Sequence, residues 1–350
     1  METAKPRIHK YDNIKGIAII LIVLGHLILI TNEPTRIFVK FIYIFHLPLF
    51  FFVSGYFSKN RPTDPIKACK RILIPYIVFC ILLRYFSIYV HGFEYSTPVI
   101  IYSSYGMWFL FSLFMMKMLL PILNRLKHPL LISIIIALLF GLIHINKDIL
   151  GISRTFTYMP IFLLGFYYNS YKEKIDDYLS NNSLTIKRIL NSKIFLGLSL
   201  IVIFLVCMFI STELSLKFIK IAYPYASSGK GIIIDMLKRL LIIIVQISIV
   251  LLANKLITNK ETVLTKIGKN SMAIYIFHIF FIRFWEDNVL SNISNPHIAF
   301  ISTVIFTLIL VAIFSQDIVS KYYNKAMDGI YDLFFYPIDK LSNQQWNQDS

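Results

Sequence analysis

Charge is scarce in this sequence. Charged residues make up 15% of it and apolar residues 57%, whereas soluble domains carry about 25% and about 45–50%. A water-soluble globule is excluded on that count, because long uncharged blocks such as 14–30 and 130–145 would have nothing to cover them. A bilayer core about 30 Å thick takes about 20 such residues per helix, at about 1.5 Å each. Acid is scarcer than base, with 19 Asp and Glu against 35 Lys and Arg and a net charge of +16. Such an excess suits nucleic acid when it forms a patch. Here the cations are scattered between apolar blocks, so no nucleic-acid partner is expected. Cysteine is nearly absent: Cys69, Cys80 and Cys207 lie in or beside apolar blocks without paired spacing. Neither a disulfide framework nor a metal site is expected from them. The Gly-rich phosphate loop, the Gly-x-Ser-x-Gly elbow and the His-Glu-x-x-His zinc motif are missing too.

What is present is a series of apolar stretches at about 14–31, 37–57, 69–90, 105–121, 130–145, 155–168, 194–211, 236–253, 271–285 and 298–316. They predict an all-α, polytopic transmembrane helix bundle of about ten spans, surrounded by the lipid bilayer. The first block is long and has no small-residue cleavage site, so it reads as a spanning helix and not a signal peptide. Orientation follows from the connections. Alternate ones carry 24 Lys and Arg and the opposite set carries 7. The cation-rich side is cytoplasmic, which places both termini there in a multi-pass protein of the cell membrane. No linker divides residues 1–316. The tail, 317–350, is amphipathic and then polar, and is expected to lie on the cytoplasmic membrane surface before fraying.

Four features can carry chemistry. Lys15 and His26 stand eleven residues apart on the first helix, so they share one face at about 16 Å along the axis. An imidazole inside an apolar helix must face the protein interior or water. As interhelical glue or as a catalytic group it satisfies that need equally. Secondly, His46 lies within a turn of Pro48 in Phe45-His46-Leu47-Pro48. There the carbonyls released by the kink and the imidazole make either a polar notch or a plain packing kink. His278 is a third intramembrane histidine, after Asn270 and Ser271, which are suited to cap its helix. The fourth feature is Lys67, Lys70 and Arg71 at a cytoplasmic helix start. Such a face binds donor phosphates or anchors the helix at anionic headgroups. Asp235 and Arg239, four apart, predict an internal ion pair. Trp108 and Trp285 suit interfacial belts.

In order, Asp12-Asn13-Ile14-Lys15-Gly16 leading to Gly25-His26, Phe45-His46-Leu47-Pro48 through Ser54-Gly55-Tyr56, Arg71-Ile72-Leu73-Ile74-Pro75-Tyr76, Met107-Trp108-Phe109-Leu110, Phe162-Leu163-Leu164-Gly165, and Gly268-Lys269-Asn270-Ser271 through His278 resemble the membrane acyltransferase-3 family, and within it the fucose 4-O-acetylase-like branch. Lys15 stands where the family has an Arg ten residues before its essential His, and His26 stands at that His. The family's Arg-x-x-Arg element is matched loosely by Lys67-x-x-Lys70 with Arg71. The resemblance implies transfer of an acyl group, commonly acetyl from acetyl-CoA as co-substrate, to a hydroxyl of a cell-surface carbohydrate. No permanently bound cofactor is implied. His26 and Lys15 become candidate catalytic residues, His46, His278, Ser54 and Asn270 candidate substrate contacts, and Lys67, Lys70 and Arg71 candidate donor contacts. A secondary transporter and a non-catalytic subunit of polysaccharide synthesis or export are the competing readings. A homo-oligomer is compatible with the sequence.

Overall fold

In hydrocarbon every backbone N–H and C=O must find a partner inside the protein, and a helix supplies one within the segment. The computed structural model describes residues 7–28, 33–59, 64–94, 97–102, 105–143, 149–221, 224–225 and 231–346, with backbone alone at 105 and 336–346. No strand occurs among them, only an isolated bridge between Tyr102 and Ile149. Of the Lys and Arg counted in the connections, Lys5, Arg61, Lys147 and Lys230 lie outside the described residues.

In chain order the principal helices are α1 (His9–Leu27), α2 (Glu33–Ser58), α3 (Pro65–His91), α4 (Trp108–Leu123), α5 (Pro129–Leu142), α6 (Ile152–Asn182), α7 (Lys193–Glu213), α8 (Ile232–Leu256), α9 (Val263–Lys269), α10 (Ser271–Phe277), α11 (Ile279–Asn288), α12 (Pro296–Phe314) and α13 (Asp317–Trp346). Helix falls within each of the ten expected stretches. Among the described helices, α2, α3, α7, α8 and α12 are long and apolar enough to cross a membrane. The remaining stretches are shorter or, like α1, begin in charge. Starts follow local chemistry: Asp64 accepts from the N–H groups of Ile66 and Lys67, Ser192 from Phe195, and Asn295 from His297 and Ile298.

The core lies where α1, α2 and α6 meet, around the buried Ile14, Phe51, Phe52, Tyr158 and Phe162. At the edge, α7 exposes Leu198, Ile201, Phe204, Leu205 and Phe209, an apolar surface suited to lipid. Two glycine crossings bring backbones together. A Cβ on Gly268 would lie 1.8 Å from the Asp12 carbonyl oxygen, and one on Gly55 would lie 1.9 Å from that of Phe162. Neither position has room for a side chain.

Pro48 lacks the N–H that Ile44 would otherwise accept. The vacancy is filled from α8, where Gln246 Nε2 donates to the Ile44 carbonyl at 3.1 Å. Gln246→Leu leaves that buried carbonyl without its donor, and is expected to destabilise the protein by about 1–3 kcal/mol. A thermal unfolding midpoint in nanodiscs equal to wild type would contradict this.

The tail departs from the expectation of a fraying surface helix. α13 folds back against the start of α3 and buries Tyr323, Met327 and Tyr331, because its apolar stripe is long enough to dock on protein. The predicted Asp235–Arg239 pair also differs. Asp235 pairs with Lys238 at 3.0 Å, one residue closer in sequence, while Arg239 lies over the Phe218 ring.

Candidate active site

Histidines from two distant parts of the chain meet in the bundle. Nδ1 of His26 lies 3.0 Å from Nε2 of His278, with the rings nearly parallel. His278 occupies the one-residue break between α10 and α11, and its Nδ1 lies 2.9 Å from the Ile274 carbonyl. A carbonyl only accepts, so Nδ1 of His278 carries its proton. In the neutral ring its Nε2 is then an acceptor. His26 therefore donates from Nδ1, and its own Nε2 is left with a free lone pair. The tautomer of a half-buried imidazole is fixed by two hydrogen bonds in series.

His26 belongs to the wall of a cavity of about 350 Å³, lined also by Tyr43, Gly106, Trp108, Arg154, Tyr158 and Lys220. A second cavity, of about 340 Å³, lies toward the N-terminal half of α1. Lys15, Ser54, Phe109, Lys117, Lys269 and Tyr275 are in its wall. Tyr275 stands between the two: its ring lines the second cavity while its hydroxyl donates to the Gly106 carbonyl in the first. One face of α1 thus runs past both cavities, with Lys15 in one and His26 in the other.

Lys15 is paired with Asp12 at 2.8 Å, and Arg7 reaches the same carboxylate at 2.6 Å. Burial pushes the Asp12 carboxyl up, but Arg7 and Lys15 together hold it below the usual carboxylate range. Next to it, Asn13 docks α1 on the α9 approach. Its amide donates to the Thr258 and Lys260 carbonyls, and its oxygen accepts from the hydroxyls of Thr262 and Thr265. The glycine crossing of Gly268 on Asp12 continues this clamp.

The other predicted residues are dispersed. His46 is buried and back-bonded to the Ile42 carbonyl at 2.6 Å, with its ring edge-on to Tyr43. It stands behind the His26 cavity wall and does not line it. Ser54 lines the second cavity. Asn270 ties three elements, its amide donating to the Ser315 carbonyl at 2.7 Å, the Asp317 carboxylate at 2.8 Å and the Lys266 carbonyl at 3.2 Å. Lys67 is exposed and pairs with Asp64 at 3.2 Å. Lys70 and Arg71 face α13, reaching Asp328 at 3.2 and 3.5 Å. With Lys269, Asn270 and Lys321 they line a third cavity of about 590 Å³. Its wall shares Lys269 and Met272 with the second cavity.

Sequence reasoning gives Tyr275, Lys117, Arg154 and Lys220 no role in a site. Trp108, expected in an interfacial belt, is 9% exposed and walls the His26 cavity. Trp285 is also internal, stacked on Phe306.

A family model described as an acyltransferase domain matches residues 8–316. The nodulation protein NolL of Sinorhizobium fredii is 30% identical over 195 residues, 50% of this chain and 52% of that protein. The chain thus spans about half the length of this curated relative. No solved structure matches.

Proposed function

The chain belongs to the acyltransferase-3 family, and from that premise we propose an integral membrane O-acyltransferase that moves acetyl from acetyl-CoA to a hydroxyl of a cell-surface or extracellular carbohydrate. The supporting observation is the pair of cavities along one face of α1 with Tyr275 between them, one walled by Lys15, Lys117 and Lys269 and the other by His26, whose ring is held by His278. The 24-to-7 cation bias supports a cytoplasmic position for the Lys15 side and both termini.

On this reading acetyl-CoA lays its phosphates among Lys70, Arg71, Lys269 and Lys321 in the third cavity. Its pantetheine arm enters the second, past Lys15 and Lys117, toward Tyr275. Phosphate–cation contacts of this kind are worth about 1.5–3 kcal/mol each. Asp328 must yield Lys70 and Arg71 for them to form. The carbohydrate occupies the first cavity, against Tyr43, Trp108 and Tyr158. Its hydroxyl oxygen attacks the thioester carbon, and the hydroxyl proton passes to Nε2 of His26. Cleavage of the C–S bond releases CoA thiolate, which takes up that proton. His278 holds the tautomer that makes Nε2 the base and accepts from the imidazolium as it forms. The same lone pair suits a covalent acyl-histidine route. In either case 1–316 is the catalytic domain and 317–350 a cytoplasmic tail.

The test is acetyl-CoA turnover by purified protein in nanodiscs with surface glycan, read by mass spectrometry of the glycan. CoA release matched by glycan gaining the mass of acetyl groups is expected. Movement of unmodified glycan across the membrane of sealed vesicles, without acetyl-CoA consumption, would replace the enzyme with a transporter.

A further inference from the structure

The Lys15 and His26 cavities share no lining residue among those described. A donor in one therefore reaches the imidazole in the other only past the residues that join their walls. Tyr275 makes the join: its ring lines the Lys15 cavity, and its hydroxyl donates to the carbonyl of Gly106, which lines the His26 cavity. Tyr275 and His278 stand three residues apart in helical backbone, so one face presents both. The first holds Gly106 and the second holds His26.

Gly106 belongs to a short 3-10 turn, Tyr105–Met107, that is pinned by the buried Met107 and Trp108. A Cβ built on Gly106 would meet Tyr275 Oη at 3.5 Å and His26 Cε1 at 3.6 Å, both ordinary van der Waals contacts. Two atoms that each lie one such contact from the same point leave a gap no wider than a methyl group. With no side chain at 106, a ligand can approach the backbone there. The Tyr275 ring is held on two sides, with its centre 5.6 Å from that of Phe109 and 6.3 Å from that of His278.

We propose that this gap receives the acyl group of the donor, and that Tyr275 is the specificity-determining residue that limits the group to acetyl. This rests on the acyl-transfer reading and adds chain-length selection to it. Cε1 of an imidazole is bonded to Nε2. A methyl lodged against Cε1 therefore brings its carbonyl carbon to the edge of the ring that receives the acceptor's proton. Each further methylene must displace the Tyr275 ring, against its bond to Gly106 and its packing on Phe109.

The experiment uses the full chain in nanodiscs with surface glycan and acetyl-, propionyl- or butyryl-CoA, read by CoA release and by the mass of the glycan. Wild type is expected to favour acetyl over propionyl by about 10–200-fold in kcat/KM, the usual discrimination of one methylene. Tyr275→Phe removes one oxygen from the rim of the gap and should bring that ratio near one. Tyr275→Leu should admit butyryl as well. Gly106→Ala fills the gap without meeting any atom closer than 3.5 Å. It should keep the wild-type thermal midpoint and lose acetyl transfer by about tenfold or more.

Wild type that uses propionyl as readily as acetyl would overturn the proposal and leave acyl transfer standing. So would a wild-type ratio in both Tyr275 variants, or wild-type acetyl transfer by Gly106→Ala. A general loss of rate in the Tyr275 variants with the ratio unchanged would reduce Tyr275 to packing. If Gly106→Ala fails to fold, the ratio in the Tyr275 variants decides. If none of the three donors acylates the glycan, the acyl-transfer reading falls and takes the acyl gap with it.

Discussion

His26→Ala is expected to lower acyl transfer by about 10²–10⁴-fold if the imidazole is a general base, and to abolish it if the imidazole carries the acyl group. The substitution deletes the one nitrogen that the His278 relay leaves with a lone pair. Carbohydrate binding should change little, because Tyr43, Trp108 and Tyr158 still form the wall. His278→Ala is expected to cost less: the base survives, but its Nδ1 proton loses its acceptor and the tautomer is no longer fixed. The ranking of the two variants is read from single-turnover transfer with bound acetyl-CoA. Near wild-type turnover by a well-folded His26→Ala protein would remove the catalytic assignment, and a slower His278→Ala would transfer it to the partner ring.

Gly268→Val is the second expected large effect, and it touches neither cavity. A Cβ at 268 would sit 1.8 Å from the carbonyl oxygen of Asp12, and the reciprocal Cβ at Gly16 would sit 2.4 Å from that of Leu264. The obstacles are backbone atoms, so no rotamer relieves them and α1 must move away from α9. Overpacking of this kind typically costs about 1–3 kcal/mol, occasionally more. The larger consequence is kinetic. α9 leads directly into α10 and His278, so displacement of α1 separates His26 from its partner. Transfer is expected to fall at least as far as in His278→Ala, with a lowered thermal midpoint. Gly197→Ala is the control, since nothing lies within 4 Å of a Cβ there. Full activity in a folded Gly268→Val protein would break the proposed link between this crossing and the histidine pair.

The helices are legible because apolar blocks have one stable form in hydrocarbon. The shared face of Lys15 and His26 is legible because helical rotation is arithmetic. Which histidine meets His26 is not: the contact joins positions 252 residues apart, and His46 and His278 look alike in sequence. They separate only where packing aims them, His46 at its own helix and His278 at His26. Cations are legible as a run but not by partner. Lys67, Lys70 and Arg71 are conspicuous as a run, yet two of them meet Asp328, which belongs to a tail with its own apolar stripe. Arg154, between Ser153 and Thr155, and Lys220, three residues after Lys217, have no run to mark them. Asn13 is visible in the motif, but its four hydrogen bonds depend on a connection that folds back from residues 258–265.

Tyr275 and its bond to the Gly106 carbonyl have an electrical consequence. If the cavities open to opposite sides, as the proposed orientation of α1 requires, Tyr275 is part of a septum that stands in place of the full bilayer thickness. A potential applied across the membrane then drops mainly over that septum, as across the dielectric of a narrow capacitor. One elementary charge crossing the whole drop is worth about 2.3 kcal/mol per 100 mV. With the proposed orientation, His26 and Lys15 stand on either side of this steepest part of the field, so the charge state of the imidazole would respond to the potential across the membrane.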